Sequence, residues 1–164
     1  MDSYVECLVK AKPQGLWKFL KVLLIIITSV SALLALMGVA FMFILALAAG
    51  VGLYFVNLRT NIEYEYLYLD KELAVDQIFA QTKRKRIAVY RIDSMEVFAP
   101  IKSYHLDNYK NRQVTVKDYS IGEELKPDRR YAFYYEGGQK IIISPSEEMV
   151  KAMKMVAPRK VFND

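Results

Sequence analysis

Between Lys21 and Arg59 the chain carries no charged side chain, a run of thirty-seven mostly apolar residues from Val22 to Leu58. An α-helix rises 1.5 Å per residue, so one unbroken helix of that length would measure about 55 Å against a hydrocarbon core of roughly 30 Å. Two spans of about 17 residues, each about 25 Å long, fit with snorkelling ends and modest thinning of the bilayer. The run therefore predicts a two-helix transmembrane hairpin over residues 17–58. Its first helix extends from about Trp17 to Met37 and its second from about Val39 to Leu58. The turn is placed near Gly38, the only helix-weakening residue near the midpoint.

Trp17 and Tyr54 then fall at the same interface, where amphipathic rings are favoured. Ala46/Gly50 and Ala48/Gly52 offer small faces four residues apart, and Thr28, Ser31, Ala32 and Ala35 offer another on the first helix. Such faces suit close packing within the hairpin or, alternatively, a seam between two copies. A cleaved signal peptide has an apolar core of about 7 to 15 residues, less than half of this run. Lys10, Lys12, Lys18 and Lys21 precede the run, and Arg59 and the Lys83–Arg86 segment follow it. The positive-inside rule then predicts a multi-pass protein of the cell (inner) membrane with both termini cytoplasmic.

Residues 1–16 read as a cytoplasmic amphipathic lead-in (Tyr4, Val5, Leu8, Val9). The single cysteine, Cys7, has no partner for an internal disulfide, which suits a reducing compartment, and its position also permits acylation. Residues 59–164 form a soluble domain of ordinary size for one core. It holds 19 Lys and Arg against 16 Asp and Glu, a net +3 of the chain's +5.

Within that domain, Ile62, Tyr64, Tyr66 and Tyr68 alternate with Glu63, Glu65, Leu67 and Leu69, the period of a two-faced strand. Asp70-Lys71-Glu72 reads as a turn, and Leu73, Val75, Gln77 and Phe79 as the returning strand. Thr82–Arg86 reads as a basic turn before a strand through Ile87 and Val89, and Arg91–Ser94 as a tight turn. Further strands are expected at Met95–Pro100, Val114–Val116, Tyr131–Tyr135 and Lys140–Ile143. Ser144 as N-cap, Pro145 and Glu147 announce a final helix carrying Met149, Val150, Met153 and Val156 at helical spacing. The fold class is thus a membrane α-hairpin plus a mostly-β (α+β) domain. Six or seven antiparallel strands make a small open barrel or bent sheet pair, with one C-terminal helix.

The order of elements, and the segment from Lys83 to Val97 in particular, resembles bacterial pleckstrin-homology-like (PH-like) domains: a basic turn, an apolar strand, an Arg-Ile pair and a second short strand. The hairpin followed by Asn61–Tyr66 is similar to a family of small membrane proteins of Gram-positive anaerobes, classed as a domain of unknown function. The resemblance implies a PH-like fold. Eukaryotic members of that fold often hold phosphoinositides with basic residues between the first two strands. The loop assigned there in this chain, Asp70-Lys71-Glu72, is net acidic and departs from that pattern.

If strands alternate direction from Ile62, turns after even-numbered strands lie near the bilayer. That near set is Thr82–Arg86, Ile101–Arg112 and Glu136–Gly138, with seven Lys and Arg against two acids; the far set holds six acids and two lysines. Lys83, Arg84, Lys85, Arg86, Lys102, Lys110 and Arg112, with Tyr104 and Tyr109, are therefore the candidate contacts to anionic headgroups. A bulge at Asp93 in place of a turn would reverse the later parities. A solvated hairpin tip is the plainer reading of Lys83–Arg86.

The chemistry of catalysis is sparse. His105 is the one histidine and has no sequence-local partner, and no metal spacing, phosphate loop or nucleophile elbow occurs. The hairpin holds no ionisable residue of the kind that marks a transport path. The mild charge and the lack of a basic-aromatic strand pattern disfavour nucleic acid. The expectation is a non-enzymatic, membrane-tethered binding or scaffolding module without cofactor, contacting lipid headgroups non-selectively, with a protein partner or homo-oligomer open. The alternative is a structural subunit of a larger membrane assembly.

Overall fold

The segment before the apolar run is a strand. The computed structural model describes residues 4–11, 15–122 and 127–163, and its first element is β1 (Val5–Lys10). Its side chains alternate in burial, with Val5, Cys7 and Val9 packed against the core. It pairs antiparallel with β2 (Ile62–Leu69) in a register from Val5↔Tyr68 to Lys10↔Glu63. What reads in sequence as an amphipathic lead-in is thus the edge strand of a sheet. Six residues of alternation look alike in a surface helix turn and a strand until the partner is known.

The chain divides into two compact units. One comprises residues 1–12, 63–78 and 84–164; the other comprises 13–62 and 79–83. The second unit contains helices α1 (Gly15–Leu36) and α2 (Phe41–Thr60). Gly38 sits between them at φ 99°, a left-handed backbone that favours glycine. Both helices are long and apolar enough to cross a membrane. Only Ser31 of α1 and Ala49, Val56 and Thr60 of α2 are buried. The contact seam runs along Ala49, Gly52 and Val56, with Leu24 Cδ1 at 3.7 Å from a Cβ built on Gly52. Gly50 has nothing within 4 Å of such an atom, so it lies off the seam.

In the first unit β2, β3 (Glu72–Phe79) and β4 (Lys83–Arg91) continue the sheet from β1, in the order β1-β2-β3-β4. Asp70 and Lys71, and then Ala80 and Gln81, have positive φ, the backbone of turns whose twist matches that of hairpin strands. A 3-10 turn at Ile92–Ser94 ends β4, and the chain enters a second sheet. That sheet contains β5 (Met95–Pro100), β6 (Thr115–Asp118), β7 (Tyr131–Tyr135) and β8 (Gln139–Ile143), in the order β5-β7-β8-β6. The β6–β8 pair is parallel, contrary to the all-antiparallel expectation. The chain passes from β6 to β7 on the far side of β8, and β7 returns antiparallel into β8, so β6 and β8 run the same way.

Among the described residues two four-stranded sheets form, with no closed barrel. Tyr66, Leu73, Val75, Tyr90, Phe98, Phe133, Ile141 and Ile143 are buried in one core with residues of α3 (Glu147–Val156). Ser146, two residues later than the sequence suggested, caps α3 by accepting from the Met149 amide at 3.2 Å. Ser144 is buried, and its hydroxyl accepts from the Ile121 amide. Tyr66 ties the sheets together: its hydroxyl donates to the Tyr119 carbonyl at 2.5 Å and accepts from the Ser144 amide at 3.2 Å.

Candidate functional site

The run Lys83–Arg86 lies inside β4 and is not a turn. Residues two apart in a strand share a face, which separates Arg84 and Arg86 from Lys83 and Lys85. Both arginines converge on Asp76 of β3: Arg84 Nε is 3.1 Å and Arg86 Nε 2.8 Å from its carboxylate oxygens, and Arg84 also pairs with Glu65. Asp76 is only 4% exposed, so its charge needs these guanidiniums. The hydrogen bond to Asp76 in turn raises the pKa of Arg86. These two arginines are tied to Asp76 while their side chains stay about half exposed; Lys83 and Lys85, also exposed, stand on the other face of the strand.

The segment Ile101–Arg112 is folded around a 3-10 helix at Tyr104–Tyr109, capped by Ser103, whose hydroxyl accepts from the His105 amide. Leu106 is buried in a small core with Val97, Ala99 and Tyr134. Tyr109 packs on Tyr134 with ring centroids 4.9 Å apart, and the Arg112 guanidinium lies over Tyr109 at 4.7 Å. Arg112 also pairs with Glu96 at 2.8 Å and Lys110 with Asp107 at 2.5 Å. Lys102 is 4.0 Å from Asp128, and Tyr104 is exposed. His105 stacks on Phe162, centroids 3.6 Å apart.

Strand direction breaks the expected sorting of turns. The Glu136 amide donates to the Ser94 carbonyl, and the Gly137 amide to Glu96 Oε1, the residue that also holds Arg112. Turn Glu136–Gly138 and Arg112 therefore share the Ser94 end of the second sheet, while Lys102 follows β5 at the opposite end. The sheet change at Ile92–Ser94 is the physical cause, because parity counts directions only within one meander. Lys102 and Arg112 thus stand at opposite ends of the second sheet. Much of the acid-rich loop Gly122–Asp128, residues 123–126, lies outside the described residues.

At the open end of the helical hairpin, cations that flank the apolar run in sequence come together with aromatic side chains. Lys21 Nζ donates to Asn57 Oδ1 at 2.8 Å, and the Asn61 amide nitrogen donates to the same oxygen at 3.3 Å. The Arg59 guanidinium lies 5.9 Å from the centre of the Trp17 ring. The Ala80 amide donates to the Asn61 carbonyl at 2.7 Å, which joins the Phe79–Lys83 turn to the end of α2. Basic flanks and interfacial aromatics were both visible in sequence; the sequence separation of Trp17, Arg59 and Lys83 concealed their meeting.

Elsewhere the titratable groups serve structure. The Arg130 side chain clamps Asp128 with two hydrogen bonds of 2.8 and 2.9 Å and holds its carboxyl below the usual range. Cys7 is half-buried, its thiol donates to the Ser144 carbonyl, and desolvation pushes its pKa up, which makes it a poor nucleophile. Among the described residues, no three His, Cys, Asp or Glu side chains are grouped to hold a metal ion.

A family model described as Bacterial PH-like domain (DUF6106) matches residues 1–163. No curated protein and no solved structure matches the chain.

Proposed function

Because the chain belongs to the bacterial PH-like domain family, we propose that it is a non-enzymatic, membrane-tethered binding or scaffolding module of the inner membrane, with both termini cytoplasmic. PH-like domains commonly bind lipids or proteins and are typically non-catalytic. The observation that carries the reading is where the hairpin interrupts the fold. β1 and β2 are paired neighbours, Lys10 opposite Glu63, and the whole of α1 and α2 is the connection between them. In sequence, Asp70-Lys71-Glu72 stands as the loop between the first two strands. With β1 in the sheet that loop joins β2 to β3, and the first connection is the apolar hairpin itself.

A polar loop in that position would be wetted. This one exposes Leu16, Phe19, Ile44, Leu47 and Phe55, each more than half accessible, an arrangement that suits lipid and not water. In this reading the anionic leaflet is met by Lys83 and Lys85 and by the hairpin flanks, with Lys102 and Tyr104 as exposed contributors. Arg84, Arg86, Lys110 and Arg112 contribute less, since acids already hold them. A second reading, a subunit of a larger membrane assembly, is favoured by an apolar groove in which Ala32, Ala35, Ala40 and Ala46 leave room for another helix between the larger Leu36, Phe43 and Leu47.

The test is affinity purification of the tagged full-length chain from its native membrane, with mass spectrometry of proteins and lipids. Enriched anionic lipid, or a bound protein at a fixed ratio, supports the module, and a fixed-ratio integral membrane partner selects the assembly reading. A preparation with bulk lipid composition and no partner contradicts both.

A further inference from the structure

The unit formed by residues 13–62 and 79–83 contains Lys18, Lys21, Arg59 and Lys83 and not one Asp or Glu. Its cations therefore have no counter-charge within the unit. Two of them, Arg59 and Lys83, line a half-open cleft of about 550 Å³ whose walls include the rings of Trp17, Tyr54, Phe55 and Phe79. That volume falls in the range of small-molecule sites, and the combination of apolar walls with a few convergent polar groups is their usual character. Among the described residues neither Arg59 nor Lys83 has an acidic side chain within ion-pair distance.

We propose that this cleft is a selective site for the phosphate of an anionic glycerophospholipid. The phosphate sits between Arg59 and Lys83, and the glycerol and upper acyl segments lie against the Tyr54 and Phe55 rings. This rests on the membrane reading above and makes it specific: one headgroup in one place, not a diffuse attraction to the leaflet.

Three features favour a lipid over a free anion. Tyr54 and Phe55 are both about three-fifths exposed on the outside of α2, where acyl chains would surround them. The Arg59 guanidinium lies over the Trp17 ring, and a guanidinium stacked on a ring keeps its in-plane N–H donors free to meet a phosphate. The site opens at the ends of two helices of membrane-spanning length.

Trp17 is the only tryptophan in the chain, so its fluorescence reports on this cleft alone. The full-length chain is reconstituted in phosphatidylcholine nanodiscs that contain a minor fraction of either brominated phosphatidylglycerol or brominated phosphatidylcholine, and bromine quenching of Trp17 is compared. The expected result is a preference for the anionic lipid of roughly thirtyfold, the order produced by two facing cations. R59Q/K83Q is expected to erase the preference, R59K to retain it, and K71Q, in the β2–β3 turn, to leave it unchanged. Far-UV circular dichroism verifies that each variant keeps its helices. Equal quenching by both lipids in the parent overturns the site and leaves the membrane reading standing. Absence of quenching by either lipid overturns both. Inorganic phosphate, added to the phosphatidylglycerol nanodiscs, is expected to leave quenching unchanged; its abolition of the preference would overturn the lipid assignment in favour of a free anion.

Discussion

Tyr66 and Tyr68 stand two residues apart on the same face of β2, both essentially inaccessible to solvent, and they predict opposite responses to the same substitution. The Tyr66 hydroxyl is engaged twice, to the Tyr119 carbonyl and from the Ser144 amide, whereas the Tyr68 hydroxyl has no partner among the described residues. Tyr66→Phe removes both bonds and strands the amide of Ser144, a residue only 4% exposed. A lost hydrogen bond costs about 1 kcal/mol and a stranded buried donor about 1 to 3 kcal/mol more, so the variant should lose about 2 to 4 kcal/mol. For a domain of about 100 residues that is a fall in Tm of roughly 10 to 20 °C. Tyr68→Phe removes a buried hydroxyl that satisfies nothing, and its Tm should stay level or rise. The assay is thermal unfolding of the detergent-solubilised full-length chain, followed by near-ultraviolet circular dichroism of the tyrosines. Equal losses in the two variants would refute the assignment of Tyr66 as the tie between the sheets.

Arg84→Ala and Arg86→Ala should each be tolerated, because the other guanidinium still reaches Asp76. The double variant should lose more stability than the two singles together, as read by the same melts. Asp128 has a folded pKa below its unfolded value, so its contribution to stability is present above about pH 4 and is lost as pH falls through the folded value. The difference in Tm between the parent and Asp128→Asn should therefore be largest near neutrality and close in strong acid. Gly38→Ala forces a side chain into the left-handed region and should destabilise the hairpin by about 1 to 2 kcal/mol in a detergent unfolding series, while Gly50→Ala should be neutral.

The apolar hairpin and the period-two strands were legible in sequence because each imposes a local pattern. Ile62–Leu69 states its two faces within eight residues, and no soluble structure exposes a run like Val22–Leu58. The rest depends on distant partners. Val5, Cys7 and Val9 read as a strand only once β2 is known to lie beside them, half a hundred residues later. The basic run looked like a solvated tip because nothing local reveals that Arg84 and Arg86 meet Asp76 across the sheet. Parity failed at Ile92–Ser94, where three residues move the chain between sheets without a glycine or proline to signal it. Ser144 satisfies the capping pattern as well as Ser146 does, and only the buried Tyr66 hydroxyl shows which serine is spoken for.

Whether the connection between the paired strands β1 and β2 is a membrane hairpin that returns both termini to the cytoplasm is decided in cells. The protein is fused at its C-terminus to green fluorescent protein or, separately, to alkaline phosphatase, and membranes are washed in alkaline carbonate. The expected result is a fluorescent fusion that stays in the washed membrane and an inactive phosphatase fusion. Release of the chain into the wash, or an active phosphatase at the C-terminus, would contradict it.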